Sequence, residues 1–187
     1  DIIPLTHPQF CDAPLVKVFD RWFAWVINIA DGFVAISRTI SSQVRQEATR
    51  QLGPEKADER WYGHFRLGSE TTHGPETGSV RKNLRTLFSG SRAVYLAVST
   101  IEPRKNHGCL LDAFDTLWAE GRPLALCIVG RIGWKCAHVV ERIRKHPELG
   151  RRLFMFNDLS DTELEFCYRH GRALVFPSLV EGFGLPL

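Results

Sequence analysis

Two stretches of this 187-residue chain combine residue types at spacings that could do chemistry. One closes the sequence: Phe176-Pro-Ser-Leu-Val-Glu181-Gly-Phe-Gly-Leu-Pro-Leu187 sets a carboxylate, Glu181, beside a glycine turn after a short apolar run. Glycines there let a ligand approach the backbone, and Pro186 fits the first position of a helix. A strand, a glycine turn and a helix start gather free backbone N–H groups, which suit anions and hydroxyls. The other stretch, Thr100-Ile-Glu102-Pro-Arg104-Lys105-Asn106, puts two adjacent cations where a helix should begin. Cations there oppose the helix dipole at a cost of about 0.3–1 kcal/mol, and a bound anion would remove that cost. A surface ion pair of Glu102 with Arg104 or Lys105 explains the same residues equally well. Two lesser loops are Gly130-Arg-Ile-Gly133-Trp134, open to close backbone approach, and Asn157-Asp-Leu159-Ser160, able to offer backbone groups to a planar ring. Taken singly, these two are more simply a turn with a packing tryptophan and a loop into a capped helix.

Four apolar runs must position these loops. Val94–Ser99, Leu124–Val129, Leu153–Phe156 and Ala173–Phe176 read as strands buried on both faces. Between them lie helical patterns over Asn106–Glu120, Cys136–His146 and Ser160–His170, the last opened by the capping box Ser160-Asp-Thr-Glu163 and ended by Gly171. Alternating strand and helix with apolar strands means an α/β fold with a parallel sheet and helices on both faces. Ligands of such sheets bind beyond the carboxyl ends of the strands, and all four loops fall there.

The first third follows the same logic with neither end closed. Asp1–Leu5 reads as a strand end. Pro14 opens a helix whose Leu15, Val18, Phe19, Trp22, Phe23, Val26 and Ile29 form one broad face, expected to be buried. Lys17, Asp20, Arg21 and Asp31 interrupt it too often for a membrane span of about 20 apolar residues. Phe33–Ile36 reads as a strand, Ser37 caps a basic helix through Leu52 that Gly53-Pro54 ends, and Trp61, Gly63, Phe65 and Leu67 alternate as a further strand. Gly68–Ser79 turns to Ser, Thr, Gly, Pro and Glu, the composition of a domain boundary, and Arg81–Phe88 is a short basic helix. The expected division is therefore 1–67, the later part of one α/β domain; 68–92, a linker; and 93–187, a second α/β domain.

Composition narrows the function. A net charge of +3 does not call for a nucleic-acid partner, and five scattered cysteines without a Cys-x-x-Cys pair suit neither a metal centre nor a disulfide framework. A reducing cytoplasm is the expected compartment. No Gly-x-Gly-x-x-Gly follows the Val94 strand, and no P-loop, Gly-x-Ser-x-Gly or His-Glu-x-x-His occurs. His107 reads as a solvated helix residue and His170 as a surface residue at a helix end. Arg38, Arg45, Arg50, Arg81, Lys82 and Arg85 invite comparison with a membrane-contact patch, although a solvated helix face accounts for them more simply. Asp1 and Leu187 are expected to be cut points in something longer.

Read together, Val98-Ser-Thr-Ile-Glu-Pro-Arg-Lys-Asn-His107, Leu110-Leu-Asp-Ala-Phe114, Ile128-Val-Gly130, Leu159-Ser-Asp-Thr-Glu-Leu164 and Phe176–Pro186 resemble, in order, the donor-binding half of family 4 retaining glycosyltransferases. Asp1–Pro8 and Ala30–Ser37 resemble the later part of that family's acceptor domain. The resemblance implies a GT-B architecture of two Rossmann-like domains, both incomplete here, and metal-independent transfer of a sugar from a nucleotide diphosphate sugar to a glycan or lipid-linked acceptor with retention of configuration. It needs no cofactor beyond that donor. By position, Lys105 and Arg104 would meet the diphosphate, and Glu181, the first glutamate of a Glu-x7-Glu pair, would hold the donor sugar. Gly182, Phe183 and Gly184 would present N–H groups, Gly130 and Leu159 would line the nucleotide site, and Ser37 would end an acceptor-domain strand at the cleft. The second glutamate of the pair would fall two residues past Leu187, so the piece alone is expected to be inactive. The chemistry is coherent: Lys105, Arg104 and helix-start N–H groups can stabilise a departing nucleoside diphosphate without metal, while Glu181 favours positive charge at the anomeric carbon. The rival readings are a non-catalytic nucleotide-sugar-binding protein or degenerate pseudoenzyme, and a dehydrogenase-like NAD domain.

Overall fold

A computed structural model describes residues 1–68 and 79–184. They form two compact units, residues 1–68 with 180–184 and residues 79–179.

In the first unit the elements run α1 (Ile3–Thr6), α2 (Ala13–Ile29), β1 (Gly32–Ala35), α3 (Arg38–Leu52), α4 (Pro54–Asp58) and β2 (Trp61–His64). β1 and β2 pair in parallel with Gly32 opposite Trp61. The indole fills the space over that glycine, where a Cβ would sit 2.3 Å from it. Phe23 and Ile27 of α2 are fully buried with Ile2, Ala35, Ile40 and Val44, and Phe33 stacks on Tyr62 at 5.9 Å. Ser37 caps α3, its Oγ accepting from Ile40 N at 3.2 Å, and Gly53 ends it.

Three expectations change here. Asp1–Leu5 is no strand end: Ile3–Thr6 is a single helical turn with Pro4 in its first turn. Gly53-Pro54 ends one helix and also starts another, since proline is tolerated where the first N–H is unsatisfied anyway. The broad apolar face of α2 is not buried: Leu15, Val18, Trp22, Trp25 and Ile29 are exposed, Val18 by 65% and Trp25 by 62%. Periodicity reports that a helix is amphipathic, whereas burial needs a surface to meet it, and the two-stranded sheet covers only the flank carrying Phe23 and Ile27. Among the described residues no helix is long and apolar enough to cross a membrane.

The second unit comprises α5 (Lys82–Ser89), β3 (Ala93–Val98), α6 (His107–Ala119), β4 (Leu124–Val129), α7 (Ala137–Arg144), β5 (Leu153–Phe156), α8 (Asp161–His170) and β6 (Ala173–Leu174). The strands make one parallel sheet in the order β5-β4-β3-β6. β6 keeps its ladder for two residues only, shorter than the apolar run suggests. Period-two alternation sends Leu126 and Ile128 of β4 into one core with Leu110, Leu111, Phe114 and Trp118 of α6 and Val140 and Ile143 of α7. Cys127 and Val129 face the other core, with Leu84 of α5 and Cys167 of α8. Helices therefore cover both faces, as the apolar strands require. Each fully buried aliphatic side chain contributes about 1.5–3 kcal/mol of transfer free energy, so these two layers dominate the unit's stability. Trp118 is held from three sides: Nε1 donates to Leu124 O at 3.0 Å, Phe114 packs edge-on, and the Arg152 guanidinium lies 5.5 Å over its ring.

Candidate functional site

In the second unit the carboxyl ends of all four strands lie along one edge of the sheet, and hydrogen bonds join their loops. After β3 the chain stays extended beside the loop after β4: Ile101 N donates to Arg131 O at 2.8 Å and Gly133 N to Ile101 O at 3.0 Å. Ile101 is fully buried. Gly130 makes this crossing possible, because a Cβ on it would lie 1.9 Å from the Ser99 carbonyl oxygen. The close approach that its sequence suggested is thus made by the protein's own backbone.

Beyond Ile101 the chain forms a 3₁₀ turn over Pro103–Lys105, then Asn106 takes left-handed dihedrals (φ 55°, ψ 38°) and α6 begins. The turn buries two charged residues. Glu102 is 4% exposed and Lys105 7% exposed. Arg104 Nη2 meets Glu102 Oε1 at 2.7 Å, so the ion pair foreseen on the surface exists, but within the fold. The Lys105 ammonium lies 5.6 Å over the Phe176 ring. Leu179 N donates to Arg104 O at 2.8 Å. Phe176 and Leu179 follow β6, the sheet neighbour of β3, so this topology brings the basic loop and the Phe176–Leu179 stretch together.

His107 is not the solvated residue its sequence suggested. It is 3% exposed, its Nε2 lies 3.3 Å from Ser99 Oγ, and among the described residues its Nδ1 has no partner. Burial, with the nearby Lys105 charge, pulls its pKa down to about 4, so the imidazole is neutral at pH 7. Beside it, between the starts of α6 and α7, is a concavity of about 180 Å³ lined by Ile101, Asn106, His107, Cys136 and Val139 among others.

Leu159 packs against the α5–α8 core from the loop after β5. That loop is gripped by a residue that its sequence surroundings did not single out. Arg81 donates from Nε and Nη2 to the two oxygens of Glu163 (2.7 and 2.9 Å), from Nη1 to both oxygens of Asp158 (3.0 and 3.1 Å), and from Nη2 to Asp158 O at 3.1 Å. Its backbone N–H also donates to Glu163 Oε1 at 3.1 Å. Glu163 completes the capping box, accepting from Ser160 N at 3.1 Å while Ser160 Oγ accepts from Glu163 N at 3.3 Å. The Arg81 guanidinium, above all, holds the Glu163 carboxyl down to about 2. Arg81 and Glu163 stand 82 residues apart, and nothing in the sequence links them. Of the other basic residues read as a patch, Arg45 pairs with Asp58 and Arg50 with Glu47.

The glycine turn belongs by its contacts to the first unit. There the Ser37 hydroxyl donates to Gly182 O at 2.7 Å, and a Cβ on Gly182 would lie 3.0 Å from both Asp1 Cβ and Ile36 Cδ1. Ser37 therefore joins two tasks, capping α3 and fixing the turn. Glu181 is half-buried, Phe183 is 40% exposed, and Gly184 has φ 95°, a left-handed value that favours glycine. Pro186, read as a helix start, lies outside the described residues. Among the described residues no three His, Cys, Asp or Glu side chains group as metal ligands.

A parallel α/β unit with linked loops at its carboxyl edge defines the class, and family comparison gives it a name. Residues 82–187 match the model of the glycosyl transferases group 1 family, and the chain belongs to that family. Over its whole length it is 32% identical to the serotype-specific mannosyltransferase WbdA of Escherichia coli, covering 23% of that protein. Over 49% of its length it is 33% identical to the O-antigen chain mannosyltransferase B of Escherichia coli, of which the match covers 24%. The chain thus spans about a quarter of the length of these relatives. Among solved structures TarM superposes over 95% of this chain and 31% of its own, with a TM-score of 0.57 at 16% identity, a likeness of fold. A TarM variant, solved with Fondaparinux, alpha-GlcNAc-glycerol and UDP, matches with the same TM-score over 90% of this chain and 29% of its own. The fold is of the GT-B type.

Proposed function

We propose that the protein to which this chain belongs is a family 4 retaining glycosyltransferase, moving a hexose from a nucleotide diphosphate sugar to a glycan or lipid-linked acceptor without a metal ion. Residues 1–67 would be the tail of the acceptor domain, and the donor domain would take in α5 as well as 93–187, since Leu84 and Leu87 pack in its core. The names of the relatives make mannose the first sugar to test. The observation that carries this reading is the joining of two loops at the strand ends: Lys105 rests over Phe176, and Leu179 N is bonded to Arg104 O. This ties the basic loop to the residue that directly precedes the Val180–Gly184 turn in sequence. Lys105, with Arg104 beside it, would stabilise charge developing on the departing diphosphate, and a fixed donor does so without reorganising during reaction. Glu181 would accept from sugar hydroxyls and stabilise positive charge at the anomeric carbon, with Gly182, Phe183 and Gly184 lending N–H groups. Gly130 and Leu159 would shape the nucleotide site. The enzyme would work in the cytoplasm.

The test is a donor screen on the full-length protein, with product linkage and anomeric configuration read by NMR. Lys105→Ala or Glu181→Ala should abolish transfer while leaving the circular dichroism spectrum unchanged. Wild-type-like turnover in both variants, or an inverted product, would overturn the assignment.

A further inference from the structure

The Arg81 clamp is a densely bonded side-chain cluster in the second unit, yet none of its members belongs to the proposed transfer machinery. Its six hydrogen bonds converge on two places, the Asp158 side chain and carbonyl and the Glu163 carboxylate. Both places flank Leu159. Asp158 precedes it, and Glu163 fixes Ser160, the residue after it. A four-residue loop with an ordinary sequence is thereby held by one guanidinium, directly at Asp158 and through Glu163 at Ser160. Stability alone needs less. The capping box already satisfies the start of α8, and Asp158 is 66% exposed, so water could satisfy it without Arg81. The two arms differ in strength. The Glu163 carboxylate is 6% exposed and takes a paired grip from Nε and Nη2, whereas the Asp158 arm faces solvent. The clamp therefore has a firm anchor on α8 and a weaker hold on the loop. Arg81 also stands at the N-cap position of α5, although its side chain makes no capping bond there.

We propose that Arg81 is a positioning residue for the nucleotide: through Glu163 and Asp158 it holds loop 157–160 in the shape that receives the base of the donor. This rests on the donor site proposed above. A planar base needs backbone groups already in place, because a loop that must be ordered on binding weakens affinity by the free energy of ordering it. Arg81 touches neither sugar nor phosphate in this scheme, so its loss should act on nucleotide affinity and leave the chemical step alone. Lysine cannot replace it, since a single ammonium cannot present two parallel N–H bonds to Glu163 and a third to Asp158.

The experiment uses the full-length protein with UDP and GDP as probes in calorimetry, and steady-state kinetics with the best donor. Arg81→Met is expected to weaken nucleotide diphosphate binding and raise donor KM by about tenfold, with kcat at saturating donor within about twofold of wild type. Arg81→Lys should recover less than half of that loss on a logarithmic scale. A merely structural residue would lower the melting temperature and leave Kd unchanged where the protein is folded. Unchanged Kd and KM in folded Arg81→Met would overturn the proposal. Should Arg81→Met fail to fold, Asp158→Ala removes the two side-chain bonds of the exposed arm and should weaken binding by about threefold; unchanged binding there overturns the proposal too. Hydrogen exchange separates this inference from the one beneath it. If the wild type binds neither nucleotide, the donor-site reading falls and this assignment falls with it. If the wild type binds but the amides of 158–160 exchange no faster in Arg81→Met or Asp158→Ala, the clamp alone is refuted.

Discussion

Replacing Gly130 by alanine tests whether the loops at the sheet edge are as tightly laid together as their hydrogen bonds imply. The added Cβ would stand 1.9 Å from Ser99 O and 2.5 Å from Ser99 C, and 3.2 Å from Thr100 N. Ordinary contact begins near 3.4 Å, so the two backbones must part by more than 1 Å. No flexible side chain can absorb the change, because the obstructing atoms are all main chain. The parting would strain the bonds from Ile101 N to Arg131 O and from Gly133 N to Ile101 O, and with them the placement of the Lys105 turn. Overpacking costs typically about 1–3 kcal/mol, and with only backbone to yield we expect about 3 kcal/mol or more. For a chain of this size that is a fall in melting temperature of roughly 6–12 °C. Gly108 lies inside α6, and a Cβ added to it would meet nothing within 4 Å, which makes it the matched control. Gly108→Ala should raise stability by about 0.5–1 kcal/mol through helix propensity. Urea unfolding followed by far-ultraviolet circular dichroism measures both. A Gly130→Ala protein within about 0.5 kcal/mol of wild type would refute the argument that this glycine exists for close approach.

Two further outcomes follow from geometry. Ser37→Ala removes both the cap on α3 and the bond to Gly182 O, and should destabilise the first unit by about 1–2 kcal/mol in urea titration, with Ser37→Thr recovering part of it. The Glu163 carboxyl is held down to about 2 in the folded state, against 4.5 for an unperturbed glutamate. Its contribution to stability is therefore complete above about pH 4.5 and is lost as pH falls through about 2. Glu163→Gln should be less stable than wild type at pH 6, and the gap should close on acidification; a gap that stays constant down to pH 2 would contradict the assignment.

What was legible in the sequence was local. Leu124–Val129 and Leu153–Phe156 announce themselves because a strand buried on both faces is an unbroken apolar run, and Ser160-Asp-Thr-Glu163 because a capping box is closed within four residues. The edge carrying Lys105 was legible for the same reason, since the alternation of strand and helix dictates where loops gather. What was missed depends on partners remote in sequence. Arg81 looked like one more basic surface residue, and only the fold brings Glu163 to it. His107 looked polar and exposed, yet the turn at Asn106 points it inward against Ser99. The α2 face looked like core because amphipathic order says nothing about what stands opposite. Gly130 permits a close approach, and the approaching atoms belong to Ser99.

The setting of Trp118 has a spectroscopic consequence. Indole emission shifts to the blue in a dry apolar environment and to the red in water. Trp118 is 6% exposed in the α6 core, while Trp22, Trp25 and Trp61 of the first unit are 49%, 62% and 57% exposed. The native spectrum should therefore carry a blue component from Trp118 over redder emission from the first unit and from the half-buried Trp134. Melting of the second unit would remove the blue component, while melting of the first would change the colour of the light much less. Nucleotide added to the protein should accordingly delay the loss of the blue component more than any other optical change, which makes an unlabelled fluorescence scan a direct readout of occupancy in the unit that carries Lys105.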